Sequence, residues 1–137
     1  MEKRSGKTGE RYKILIIDDN PTILHILISA LKGDYDTSFS KSGEMGLKLA
    51  RETMPDLILL DLVMPDCSGF DVLSALKADE ATRDIAVILI SGNDSEEEKG
   101  YALGAMDYIR KPFTLPVVKH RVSFSLQFAE MKRALGW

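Results

Sequence analysis

Cysteine is almost absent from this chain: Cys67 stands alone. No intrachain disulfide can form, and no cysteine-based metal site can be built. A lone thiol fits a reducing compartment. Long apolar runs are missing too, so nothing in the sequence reaches the length needed to span a bilayer. The charged N-terminus lacks the apolar core of a secretion signal. Together these absences set a cytoplasmic protein with no membrane partner as the expectation. There is no excess of basic residues: Lys and Arg number 18 against 21 Asp and Glu, for a net charge of -3. A basic field that would draw this domain directly onto nucleic acid is therefore lacking. The two histidines, His25 and His120, fall on separate predicted helices. Without a histidine cluster, a transition-metal site is not expected.

What remains is an ordinary globular composition, 45% hydrophobic and 28% charged over 137 residues. That length suits one domain with a substantial core. Met1 to Arg11 is polar and reads as a flexible lead-in. Its Gly6-Lys7-Thr8 has the form of a phosphate-loop tail, but the upstream glycine and strand are missing, so it reads as coincidence. Lys13–Ile17 is a buried-strand candidate ending in Asp18-Asp19. Asn20-Pro21 then supplies a helix cap and first turn, and Gly33 is expected to close that helix. Tyr35–Ser40 is a weaker strand nearer an edge. Ser42–Thr53 reads as a second helix, its start blurred by Gly43 and Gly46.

After Pro55, the run Leu57-Ile58-Leu59-Leu60 ends in Asp61. It is short, bounded and apolar throughout, as expected of a strand buried on both faces. Leu62 to Gly69 is a loop and Phe70–Ala78 a third helix. Ile85–Ile90 is a fourth strand, followed by Ser91-Gly92. Ser95-Glu96-Glu97-Glu98 has the form of a capping box opening a fourth helix that ends near Gly104. Asp107–Ile109 is a short fifth strand, Lys111-Pro112-Phe113 follows, and Thr114 is expected to cap a last helix. Strands and helices thus alternate five times. The pattern predicts an α/β fold with a doubly wound five-stranded parallel sheet and helices on both faces.

In a parallel sheet the C-terminal strand ends share one edge, where ligands bind. The residues at those ends are Asp18 and Asp19, Asp61, Ser91 and Lys111. A carboxylate leaving a buried strand needs a partner. Three carboxylates together repel and raise one another's pKa. A hard divalent cation relieves that conflict, and magnesium is commonly held by one or two carboxylates, water and a phosphate. Acids, a cation, a lysine and a hydroxyl suit phosphoryl transfer, and a carboxylate can serve as nucleophile, forming an aspartyl-phosphate.

Asp18-Asp19, Asp61 with Met64-Pro65 and Gly69, Ser91-Gly92, and Gly104-Ala105 leading to Tyr108 and Lys111-Pro112-Phe113 together resemble the receiver domain of two-component response regulators. The resemblance covers roughly Tyr12 to Leu126. It implies a flavodoxin-like strand order 2-1-3-4-5. It implies Asp61 as phosphoacceptor, charged by the phosphohistidine of a sensor histidine kinase or phosphotransfer protein. It implies a magnesium ion held by Asp19, Asp61 and the Val63 carbonyl, with Asp18 acting mainly through water. Lys111 and Ser91 would bind phosphoryl oxygens, Ser91 and Tyr108 would switch conformation, and the bond before Pro112 would be cis. Residues 12–127 would form the receiver, and 128–137 would extend the last helix toward an output module, as in a receiver cut from a longer regulator. Ser91 stands where threonine is more frequent. Val63 and Asn93 flank the expected attack path without adding an acid.

Each of these residues has a plainer reading alone: Asp19 as a helix cap, Ser91 as a strand-end hydroxyl, Lys111 as a surface lysine, Tyr108 as a static aromatic. Their joint placement overrides those readings. Two other classes stay open. One is a degenerate receiver acting only in dimerisation or docking. The other is an aspartate-nucleophile phosphatase, disfavoured because Val63 occupies the place of its second acid. No turnover of an external substrate is expected. On the last helix, Val118, Val122, Ser125 and Ala129 form one face suited to the sheet. A second stripe, Val117, Phe124, Phe128, Met131 and Leu135 with Arg121 in register, has coiled-coil spacing from Phe124 on. Dimerisation through that helix, or through the face of the fourth helix, fifth strand and fifth helix, is the candidate self-association.

Overall fold

Five strands form the sheet: the three central ones are runs of Ile, Leu and Val because alternating side chains are buried on both faces, and the two at the edges are more polar. In the computed structural model, which describes Ser5 and residues 9–137, these are β1 (Lys13–Ile17), β2 (Asp36–Ser40), β3 (Leu57–Asp61), β4 (Ala86–Ser91) and β5 (Asp107–Arg110). They pair in parallel in the order β2-β1-β3-β4-β5. This is the expected doubly wound sheet. The Gly6-Lys7-Thr8 segment lies outside the described residues.

The helices are α1 (Pro21–Leu31), α2 (Gly43–Thr53), α3 (Gly69–Ala78), α4 (Glu97–Ala102) and α5 (Leu115–Leu135). Ile14, Ile16, Leu57, Leu59, Ile88 and Ile109 point to one face and pack on α1 and α5 through Leu24, Leu27, Val118, Val122 and Leu126. Leu15, Ile17, Ile58, Leu60, Val87 and Leu89 point to the other and pack on the α2–α3 side through Ala50, Val72, Leu73 and Leu76. Each such fully buried side chain contributes about 1.5–3 kcal/mol relative to exposure. All five residues of β3 are buried.

Local signals account for most helix starts. Asn20 Oδ1 accepts from the N–H groups of Thr22 (2.9 Å) and Ile23 (3.2 Å), with Pro21 in the first turn. Ser42 Oγ accepts from Met45 N–H at 3.2 Å and caps α2, which starts at Gly43 itself. Gly43 and Gly46 are buried, and a side chain at either would run into Cys67 or Ile17. Their role is close packing, not a break.

Three expected helix signals are not used. Gly33 lies past the end of α1, whose cap Lys32 stays in the right-handed region. Ser95 forms no capping box: its hydroxyl donates to Asn93 Oδ1 at 2.7 Å within a 3-10 turn (Asp94–Glu96), and α4 starts at Glu97 without a side-chain cap. Thr114 takes the extended conformation of a cap but makes no capping bond. The capping box sits instead at the start of α3, between Ser68 and Asp71.

Candidate functional site

The parallel register brings the ends of β1, β3 and β4 and the residue after β5 to one edge. Ile17 stands beside Leu60, Asp61 beside Ile90, and Ser91 beside Arg110. The residues that follow each pair are therefore neighbours. One carboxylate oxygen from each of Asp18, Asp19 and Asp61 lies within 4.8 Å of the others. Asp18 is 2% exposed and Asp61 5%, while Asp19 is open to solvent.

The hydrogen bonding leaves a gap. Asp18 Oδ1 accepts from Asn20 N–H at 2.9 Å. Asp18 Oδ2 is buried and has no hydrogen-bond partner. The Lys111 ammonium lies 3.8 Å from that oxygen, beyond hydrogen-bond range, and 3.3 Å from Asp61 Oδ1. Asp61 Oδ1 also meets Val63 N–H at 3.4 Å. Burial pushes the Asp18 carboxyl up; the Asn20 N–H bond opposes this, and the nearby charge of Asp61 adds to it. An orphaned buried oxygen among three carboxylates is a set of hard donors that fits a magnesium ion.

Ser91 ends β4 beside this group, and its hydroxyl accepts from Asn93 N–H at 3.1 Å, with no bond to Asp61. Its carbonyl accepts from Lys111 N–H at 2.8 Å, which ties the loop after β5 to β4. The Lys111–Pro112 peptide is cis. Tyr108 is buried, and its hydroxyl donates to the Asn93 carbonyl. Val63 is 73% exposed at the mouth of the site. Gly69 packs against the backbone of β3: a Cβ there would fall 2.5 Å from the Asp61 carbonyl oxygen.

Asp66 was not legible in the sequence. Its two carboxylate oxygens accept from Glu44 N–H (3.0 Å) and Gly43 N–H (3.1 Å), joining the loop after Asp61 to the start of α2. Those bonds hold its carboxyl below the usual carboxylate range. A lone acid in a loop carries no sequence signal for a contact with a residue 22 positions away.

The sequence model of the response regulator receiver domain matches residues 14–123. The chain belongs to that family. It is 39% identical over 103 residues to the protein PilH of Pseudomonas aeruginosa, covering 73% of this chain and 85% of that one. It is 37% identical over 124 residues to the Vibrio cholerae protein named "Probable cyclic di-GMP phosphodiesterase", covering 89% of this chain and 28% of that protein. The receiver spans less than half the length of several other curated relatives it matches. A receiver domain protein from Methanospirillum hungatei shares the fold at a TM-score of 0.81 and 24% identity, over 88% of this chain and 98% of that one. Receivers are signalling modules, and no helix among the described residues is long and apolar enough to cross a membrane.

Proposed function

We propose that this receiver is a magnesium-dependent phosphorylation switch in which Asp61 accepts a phosphoryl group from the phosphohistidine of a sensor histidine kinase or phosphotransfer protein. The observation that carries the reading is the meeting of Asp18, Asp19 and Asp61 with Lys111, 3.3 Å from Asp61, at one sheet edge.

An Asp61 carboxylate oxygen attacks phosphorus, the bond from phosphorus to the donor nitrogen breaks, and its electron pair leaves with the imidazole. Asp18, Asp19, Asp61 and the Val63 carbonyl would hold the magnesium ion, with Asp18 acting mainly through water. When bound, the ion neutralises charge on the phosphoryl oxygens. Lys111 pairs with one phosphoryl oxygen. Ser91 releases Asn93 N–H and turns its hydroxyl toward another. Tyr108 and the loop after β4 register that change, and the face of α4, β5 and α5 carries it outward as a population shift. The protein works in the cytoplasm, with residues 12–127 as the receiver and 128–137 as an extension toward an output module. It self-associates through the α4-β5-α5 face or through α5.

The test is intact-mass analysis after incubation with magnesium and acetyl phosphate. One phosphoryl adduct is expected in the parent, lost in Asp61→Asn and lost on chelation with EDTA. An adduct that survives in Asp61→Asn would reassign the phosphoacceptor. A domain that never labels beside a control receiver that does would favour a docking module without phosphoryl chemistry.

A further inference from the structure

We infer that the outward stripe of α5 is a parallel two-stranded coiled-coil seam whose partner is a second copy of this chain. The inference deepens the homodimer reading above and rests on it for the surface, not for the phosphoryl chemistry.

α5 carries two stripes. Val118, Val122, Ser125 and Leu126 are buried against the sheet. Val117, Arg121, Phe124, Phe128, Met131 and Leu135 run at successive spacings of four, three, four, three and four. That is a strict heptad alternation, the period that keeps a seam facing a partner helix. A helix that only covers its own core has no need of it. The stripe is largely open: Phe124 is 59% exposed and Leu135 56%, and Val117 and Met131 are also exposed. It borders a concavity of about 510 Å³ floored by Met106 and Asp107.

The heptad register puts Arg121, Phe128 and Leu135 at a and Val117, Phe124 and Met131 at d. The flanking g positions are His120, Gln127 and Ala134, so that side carries no block of charge that would repel an identical helix or call for an oppositely charged partner. Arg121 is the one charged seam residue. Its guanidinium donates to both Asp107 oxygens, at 3.0 and 3.2 Å, and so enters the seam already neutralised by its own subunit. A single polar a position in an apolar seam fixes register and favours two strands. The e positions Val118 and Ser125 are buried on the sheet, and the third, Lys132, is a single cation whose facing g position is the neutral Gln127, so in a parallel pair the two domains lie on opposite sides of the seam.

The seam runs about 27 Å at 1.5 Å per residue, under three heptads, so a reversible monomer–dimer equilibrium is expected. Sedimentation equilibrium on the full chain, without phosphodonor and up to about 500 μM, reads it. The average mass should rise from 15.3 kDa toward twice that value. Phe128→Glu and Met131→Lys should each return it to monomer while still labelling with acetyl phosphate, which shows that they are folded. Asp61→Asn should dimerise like the parent, which separates this inference from the phosphoacceptor assignment. Leu135→Cys in a Cys67→Ser background should form an intersubunit disulfide, because facing a positions lie within disulfide reach. A parent that stays monomeric overturns the inference. So does a dimer indifferent to both seam substitutions. A dimer in which the Leu135→Cys variant does not cross-link overturns the parallel register.

Discussion

Tyr108 and Asn93 are joined by a hydrogen bond from the tyrosine hydroxyl to the asparagine carbonyl. The same Asn93 donates its N–H to Ser91 Oγ. One residue thus links the end of β4 to the interior of β5. Tyr108→Phe removes the outer tie and leaves the ring in place. The expected loss of stability is about 0.5–1.5 kcal/mol. Hydrogen exchange at residues 93–96 should quicken while Asp61 still accepts a phosphoryl group. Unchanged protection there would mean that the bond does not hold the loop.

Asp18 gives a pH-dependent prediction. Burial, followed by the charge of Asp61, raises its carboxyl above the ordinary value despite the Asn20 bond. A raised acid binds more protons folded than unfolded, so its contribution to stability is complete below about 3.9 and is lost as pH rises through the folded value. In EDTA at pH 7, Asp18→Asn should melt higher than the parent, and the gap should close toward pH 4. Magnesium should then stabilise the variant less than the parent. A variant that melts lower at pH 7 without metal would contradict the reading.

Lys111 is a cation that offsets two carboxylates at the site. Lys111→Met should bind magnesium several-fold more tightly by calorimetry, since a competing charge is gone. Its labelling by acetyl phosphate should slow by roughly tenfold or more, the effect of about 1.4 kcal/mol at the transition state. Weaker magnesium binding together with unchanged labelling would remove Lys111 from the phosphoryl site.

Two glycines make opposite predictions. A Cβ on Gly69 would lie 2.5 Å from the Asp61 carbonyl oxygen and 2.7 Å from Leu62 Cα, both backbone atoms. Gly69→Ala should cost about 1–3 kcal/mol and slow phosphorylation by shifting Asp61. A Cβ on Gly33 meets nothing within 4 Å, and its φ is not in the left-handed region. Gly33→Ala should be neutral or stabilise by up to about 1 kcal/mol. Denaturant midpoints decide both.

The sheet was legible because a buried parallel strand writes itself as an unbroken apolar run, and because Asp18, Asp61 and Ser91 stand where such runs stop. The α5 core face was legible from Val118, Val122 and Ser125, and Leu126, one turn after Val122, is buried with them. Helix boundaries were less readable. Ser95 has the sequence of a cap, but Asn93 takes its hydroxyl. Ser68, in what read as loop, caps α3 by reciprocal bonds with Asp71. The Asp66 bonds to α2 and the Tyr108 bond to Asn93 depend on segments meeting in space, which no local pattern encodes.

The position of β3 sets the mechanics of the molecule. It is flanked by β1 and β4 and covered on both faces, so the carboxylate it carries sits on a central strand that is buried along its whole length. β5 has one strand neighbour and ends in solvent-exposed Arg110. Under the proposed chemistry, charge added at the centre meets walls that do not yield. Relaxation is left to the rim. The fold then works as an anvil with a pliant margin, and the residues that tune signal strength should be sought at that margin, away from the acids that receive it.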